Sequence, residues 1–184
     1  MASASSTPIK HKKYVEMSEP LYDEILAGIR KSYQHSCVLW IEDVKNDTLE
    51  EKFNELKEQL IEIRGNGVVH EKAVYHGTNE LAARTIVQDG FDPSANKRSL
   101  YGKGSYFARD AGYSKNYAPP SGRHDVSYLL ICSMLTGTEG KYGKDEEVDT
   151  KVHDHSVDPT RTIFVTPYRY GAVPRYLVAF YKSV

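Results

Sequence analysis

Three short segments hold the side chains and glycines that could do chemistry. Tyr75-His76-Gly77-Thr78 reads as the end of a strand. Its histidine stands directly before a glycine, and a backbone without a Cβ can approach a ligand closely. Tyr101-Gly102-Lys103-Gly104-Ser105-Tyr106-Phe107-Ala108 reads as a glycine-rich turn entering an aromatic strand. It is not a P-loop, because no glycine stands five residues before a Gly-Lys-Ser/Thr triplet, and it lacks GxGxxG spacing. Eleven residues after Tyr106 comes Tyr117, following Ser114 on one helical turn. Two tyrosines set face to face can sandwich a flat heteroaromatic ring, since stacking is favourable and the side chain is rigid. The same residues can equally be core filling. The third segment, Thr162-Ile163-Phe164-Val165, is by itself only a strand. The polar stretch from Lys141 to His155 contains Asp145-Glu146-Glu147 and His153-x-His155. Without cysteine or a regular ligand spacing it reads as a solvated loop and not as a metal site.

These segments need elements to hold them. Residues 1–13, with the basic cluster Lys10-His11-Lys12-Lys13, have no apolar period and read as a flexible tail. Ser18-Glu19-Pro20 predicts a helix start with a capping hydroxyl. Tyr22, Ile25, Leu26, Ile29 and Tyr33 then recur at helical spacing. Cys37 to Ile41 predicts a strand, and Thr48 with Glu51 fits a capping box. The helix so opened puts Leu49, Phe53, Leu56, Leu60 and Ile63 on one side and stops at Gly65-Asn66-Gly67. Lys72 to His76 predicts a strand, and Asn79 caps a helix through Gln88 that Gly90 ends. Gly102 to Asp110 and Tyr113 to Tyr117 read as a glycine-rich turn, a short strand and a helical turn. Val126 to Leu135, Ile163 to Thr166 and Tyr176 to Tyr181 predict further strands, with a polar segment over 136–159. Helices dominate before residue 65 and strands after it. That order argues an α+β chain with mostly antiparallel sheets and not an alternating βαβ fold.

Composition bounds the function classes. A chain of 184 residues is long enough for one well-buried domain, expected over 14–184. With 24 Lys+Arg against 25 Asp+Glu the net charge is -1, which excludes a global polyanion-binding surface. A local rim from Lys97, Arg98, Lys103 and Lys115 is the one basic feature near the motifs. Mean hydropathy is -0.55, and no apolar run approaches the roughly 18 residues of a membrane span. Neither a membrane partner nor a secretory signal is expected. Cys37 and Cys132 form no disulfide framework or CxxC pair, so the expected setting is intracellular, cytoplasmic or nuclear. Fourteen tyrosines against one Trp and five Phe are the compositional oddity.

Taken in order, HGT at His76, YGKGSYFA from Tyr101 and SKNY from Ser114 resemble the catalytic domain of the poly(ADP-ribose) polymerase family. These are diphtheria-toxin-like ADP-ribosyltransferases. The likeness runs from about Lys12 to the C-terminus, where PRYLVAFY from Pro174 is similar to the family's last strand. It implies two mostly antiparallel sheets flanked by short helices, with NAD+ as co-substrate in the cleft between them and no metal. It also implies that His76 hydrogen-bonds the adenosine ribose and that the Gly77 backbone pairs with the nicotinamide carboxamide. Ser114 would donate to the carboxamide oxygen, and Tyr106 and Tyr117 would flank the nicotinamide ring. Thr78, Phe107 and Ala108 belong to the same binding motifs. Asp92 to Leu100 takes the place of the donor loop over the nucleotide.

His76, Tyr106 and Ile163 occupy the family's three catalytic motif positions. At the third, polymer-forming members carry a glutamate that holds the nicotinamide-ribose 2'-hydroxyl and activates the incoming hydroxyl. Ile163 has no hydrogen-bonding group and can do neither. Members with an aliphatic residue there look like mono-ADP-ribosyltransferases. The resemblance therefore implies a monomeric enzyme transferring one ADP-ribose to a protein Glu or Asp, itself included. The rivals are an inert module of the same fold and transfer to nucleic-acid ends. Only about 60 residues stand between the tail and the strand ending at His76, so no inhibitory helical domain is expected before it within this chain.

Overall fold

A computed structural model describes residues 13–97, 99–122 and 124–182. Apart from Lys13, the expected tail lies outside the described residues, as does Arg98 of the basic rim. The described residues form nine strands: β1 (Lys13–Tyr14), β2 (Cys37–Asp43), β3 (His70–Thr78), β4 (Ser105–Ala108), β5 (Val126–Thr136), β6 (Glu139–Gly140), β7 (His155–Val157), β8 (Ile163–Thr166) and β9 (Ala172–Tyr181). They join in the order β1-β2-β9-β5-β3-β4-β8-β7-β6. Every neighbouring pair is antiparallel except β6 with β7. The α+β class read from the sequence is the observed one. Its two sheets are two halves of one hydrogen-bonded surface, touching through a single register pair, Tyr75 with Ala108.

The first half is built on long strands whose residues alternate between faces. Leu130, Cys132 and Met134 of β5 with Leu177 and Ala179 of β9 pack on one side. There they meet α3 (Glu80–Asp89) through Ala83, Ile86 and Val87. Leu129, Val178 and Phe180 point to the other side, against Tyr22, Ile25 and Ile29 of α1 (Pro20–Arg30). The helix α2 (Asp47–Arg64) covers a third patch with Leu49, Phe53 and Leu60.

Local signals placed several element ends. Asn79 caps α3 by accepting from the Ala82 N–H at 2.9 Å, and Gly90 ends it at φ 80°, a conformation that a side chain disfavours. Other readings need correction. The α2 cap is Asn46, whose side chain accepts from Leu49 N at 3.2 Å, and not the Thr48/Glu51 box. Asn46 wins because its amide also donates to the carbonyls of Val87 and Gln88, tying α2 to the end of α3. At α1, Ser18 does not cap. Glu19 occupies the cap position, and its carboxylate accepts from Glu16 N instead. Ile63 is 67% exposed, so the buried face of α2 stops at Leu60. β3 runs two residues past His76, and β9 starts four before Tyr176.

Candidate active site

The site forms where the two halves part. Past the Tyr75–Ala108 pair, β3 and β4 have no further register partners, which leaves an edge of β3 backbone open at His76 and Gly77. The side chain of His76 spans this gap: its Nδ1 stands 2.7 Å from the carbonyl oxygen of Tyr106. A carbonyl only accepts, so Nδ1 carries the proton and Nε2 is left as the acceptor of the neutral ring. Burial pushes the imidazole pKa below its ordinary value, and the Tyr106 carbonyl only partly offsets this. The ring is wedged edge-to-face against Phe91, at 5.2 Å, and tilted against Phe107, at 5.7 Å. His76 is thus a neutral imidazole with its tautomer fixed and one acceptor nitrogen to offer a hydroxyl.

Gly77 lies against the opposite face. A Cβ there would meet the Ser114 carbonyl oxygen at 1.9 Å and the Ala118 nitrogen at 3.2 Å. Both are backbone atoms that cannot swing away, so close approach of the chain requires glycine. The helical turn α4 (Ala111–Ser114) and the 3-10 turn Lys115–Tyr117 after it supply the facing groups. Ser114 is buried, and its hydroxyl donates to the Tyr75 carbonyl at 2.9 Å. In this arrangement its hydrogen is engaged, and its lone pairs are what it offers a ligand amide. Donation to a carboxamide oxygen requires the hydroxyl to rotate off Tyr75.

Tyr106 is half-buried on β4. Its neighbour Phe107 pairs with Phe164 and packs in the α3-side core, so alternation turns Tyr106 to the face of Gly77. The phenol is held at its tip, accepting from Tyr101 N at 2.8 Å and donating to Gly102 oxygen at 2.7 Å. Burial raises its pKa, so it stays protonated. Tyr117 is 58% exposed and leans on Tyr113, with ring centroids 5.6 Å apart and hydroxyls 3.2 Å apart. That hydroxyl bond is the main cause raising the Tyr113 pKa to about 12. The rings of Tyr106 and Tyr117 do not touch each other. Thr78 ends β3, Phe107 and Ala108 are buried, and Ile163 opens β8 opposite Ala108. Ile163 and Tyr106 therefore share a face, two register pairs apart along the β4–β8 ladder.

Sequence reading overlooked the supports. Tyr101, Phe91 and Tyr113 each hold a motif residue in place, and no local pattern announces them. The stretch 141–155 is a largely exposed loop, as expected, except at Val148 and at its end. Asp154 and His155 are buried, and Asp154 pairs with Arg64 of α2 at 3.0 Å. His153 bonds the Tyr142 hydroxyl, and the His155 ring stacks on Phe164. Among the described residues no cluster of three His, Cys, Asp or Glu is arranged to hold a metal. Of the lysines in the expected basic rim, Lys103 pairs with Glu147 at 2.6 Å, and Lys115 sits over the Tyr33 ring.

Comparison with known proteins bears on the family of the chain. A family model described as the poly(ADP-ribose) polymerase catalytic domain matches residues 22–162, ending one residue before Ile163. Human protein mono-ADP-ribosyltransferase PARP14 is 30% identical over 181 residues, covering 90% of this chain and 10% of its own length. Human protein mono-ADP-ribosyltransferase PARP12 is 27% identical over 191 residues, covering 99% and 27%. A probable poly(ADP-ribose) polymerase of Dictyostelium discoideum is 28% identical over 155 residues, covering 80% and 45%. The chain thus spans less than half the length of these relatives.

Proposed function

The chain belongs to the poly(ADP-ribose) polymerase catalytic-domain family, and from that premise we propose that it is an NAD+-dependent mono-ADP-ribosyltransferase. It breaks the nicotinamide–ribose bond and passes one ADP-ribose to an acceptor, a Glu or Asp side chain of a protein. The observation that carries this reading is the His76 Nδ1 to Tyr106 carbonyl bond at 2.7 Å. It brings the HGT and YFA motifs together where the sheet opens between β3 and β4.

The chemistry asks little of acid or base. When the C1'–N bond breaks, its electron pair returns to the pyridinium nitrogen, and nicotinamide leaves neutral without a proton. Positive charge grows on the ribose, as in glycoside hydrolysis. The protein's work is positioning and selective binding of the transition state. The His76 Nε2 lone pair accepts from a ribose hydroxyl. The open backbone of Gly77 and the Ser114 hydroxyl clamp the carboxamide, and the tip-anchored Tyr106 forms one wall with Tyr117 opposite. Ile163 supplies no charge to the cation, so the acceptor carboxylate does. Its oxygen attacks C1', closing an ester without a proton transfer if it arrives ionised.

All these groups lie within one chain, which fits a monomer and one catalytic unit over residues 14–184. Among the described residues no helix is long and apolar enough to cross a membrane. Cys37 is a free, exposed thiol, which fits a reducing cytoplasmic or nuclear setting.

The test is incubation with labelled NAD+ and a lysate, followed by gel separation. Discrete labelled bands that vanish with His76→Ala are the expected result. A ladder overturns mono-transfer, and no label from the unaltered protein points to an inert module. Ile163→Glu should change NAD+ turnover or product length, and no effect argues against Ile163 as the third motif residue.

A further inference from the structure

We propose that Asp158 is a positioning residue whose buried carboxylate sets the backbone of Thr162 and Ile163, and so decides where the third motif residue stands. What that placement does for turnover rests on the transferase reading; the placement itself does not. Asp158 is 5% exposed, and its carboxylate collects four donors from the five residues that follow. One oxygen accepts from Thr162 N at 2.6 Å and Ile163 N at 2.7 Å. The other accepts from Thr160 N at 3.2 Å and from the Thr160 hydroxyl.

The location gives this cluster its consequence. Pairing of β7 with β8 runs as far as Val157 with Phe164. At the next step Asp158 N still donates to the Ile163 carbonyl at 3.2 Å, but the Ile163 N–H goes to the Asp158 side chain and not to its backbone. The carboxylate thus stands in for the ladder where the strand turns off. On the other side Arg109 N holds the Thr162 carbonyl at 2.8 Å, and Ala108 pairs with Ile163. Residues 162 and 163 are therefore clamped between β4 and one carboxylate. Burial raises the Asp158 pKa, but the hydrogen bonds from Ile163, Thr160 and Thr162 outweigh it and hold the carboxyl below its ordinary value. An isoleucine has no polar side-chain contact to locate it, so its backbone must.

The experiment compares the unaltered chain with Asp158→Ala and Asp158→Asn by residue-resolved amide exchange and by steady-state nicotinamide release. With Asp158→Ala, exchange at the Thr162 and Ile163 amides should quicken by about tenfold or more, while Phe164 and Val165 change by less than about twofold. The kcat should fall about tenfold with KM for NAD+ within about twofold. Asp158→Asn keeps one oxygen for Thr162 and Ile163, so it should restore their protection and most of kcat while freeing only the Thr160 amide. Should the alanine variant fail to fold, the asparagine pattern decides. In Asp158→Ala, unchanged protection at 162 and 163 or equal loosening along all of β8 overturns the proposal, and in Asp158→Asn a Thr160 amide as protected as in the unaltered chain does so. Local loosening with unchanged kcat overturns its link to turnover. Local loosening in a chain that never releases nicotinamide supports the placement and defeats the transferase reading instead.

Discussion

The half of the sheet from β1 to β3 and the half from β4 to β6 are held together by different forces. In the first, β3 pairs with β5, and β5 with β9, through nine register pairs each, and both faces are sealed by apolar clusters. In the second, β4 with β8 has four pairs, and the β7 contacts with β8 and β6 have two each. Side chains make up the deficit there. Asp158 holds the entry to β8, Asp154 takes Arg64 and the Thr138 N–H, Ser156 donates to the Tyr101 carbonyl, and Tyr106 ties down its own turn. His76 closes the junction with one hydrogen bond. A long apolar ladder tolerates single losses because each contact is small and redundant. A short ladder propped by buried polar groups does not, since each orphaned group costs its full desolvation.

That contrast orders the expected effects. Arg64→Met leaves Asp154, which is 1% exposed, with a buried charge and only the Thr138 N–H. Stability should fall by about 3 kcal/mol in urea unfolding, the largest loss here. A loss under about 1 kcal/mol would mean that the short-strand half does not depend on its buried pair. Gly77→Ala should cost about 2 kcal/mol, because the new Cβ meets the Ser114 carbonyl. The same variant should also abolish saturable NAD+ binding by calorimetry, since the displaced backbone is the proposed carboxamide partner.

Acid should act on the junction and on the second half. Burial lowers the pKa of His76 and of His155 from an ordinary 6.5. Below pH 6.5 the unfolded chain binds protons that the native rings refuse, so stability falls as pH drops from there toward the native values and is flat above. Asp158 adds a separate loss at lower pH: its native pKa lies below the ordinary 3.8, so its contribution is present above that value and disappears as pH falls through the native one. Thermal unfolding against pH should show the histidine slope, and His155→Phe should flatten it; a variant as steep as the parent removes His155 from the account. The smallest change belongs to the first half. Lys57→Met breaks a surface pair with Glu71 at 2.7 Å and should cost less than about 0.5 kcal/mol. A measured loss rivalling Arg64→Met would erase the distinction between the halves.

Elements marked by near-neighbour patterns were legible before any coordinates. Asn79 and Gly90 announce the two ends of α3, the strand read over 126–135 falls one residue short of the observed end, and Ile163–Thr166 is placed to the residue. The proposed site positions follow from an ordered set of motifs. What escaped were partners far apart in sequence. Asn46 outcompetes Thr48 as a cap because it also reaches Val87 and Gln88, about forty residues away. The polar run 141–155 carries no apolar period, yet Arg64 draws its last residues into the interior. Asp158 stood in plain view before Pro159 and Thr160, but only the fold shows its carboxylate replacing a missing rung of the ladder.

The order of residues alone settled the helices, the longer strands and the family likeness, because those depend on short-range periodicity and on side-chain type. Folding settled which motif residue faces which. His76 acquires its tautomer from a carbonyl thirty residues downstream, Gly77 its necessity from the Ser114 backbone, and Ile163 its position from Asp158. Each of those properties belongs to a pair of groups, and a pair exists only once the chain has closed the loop between them.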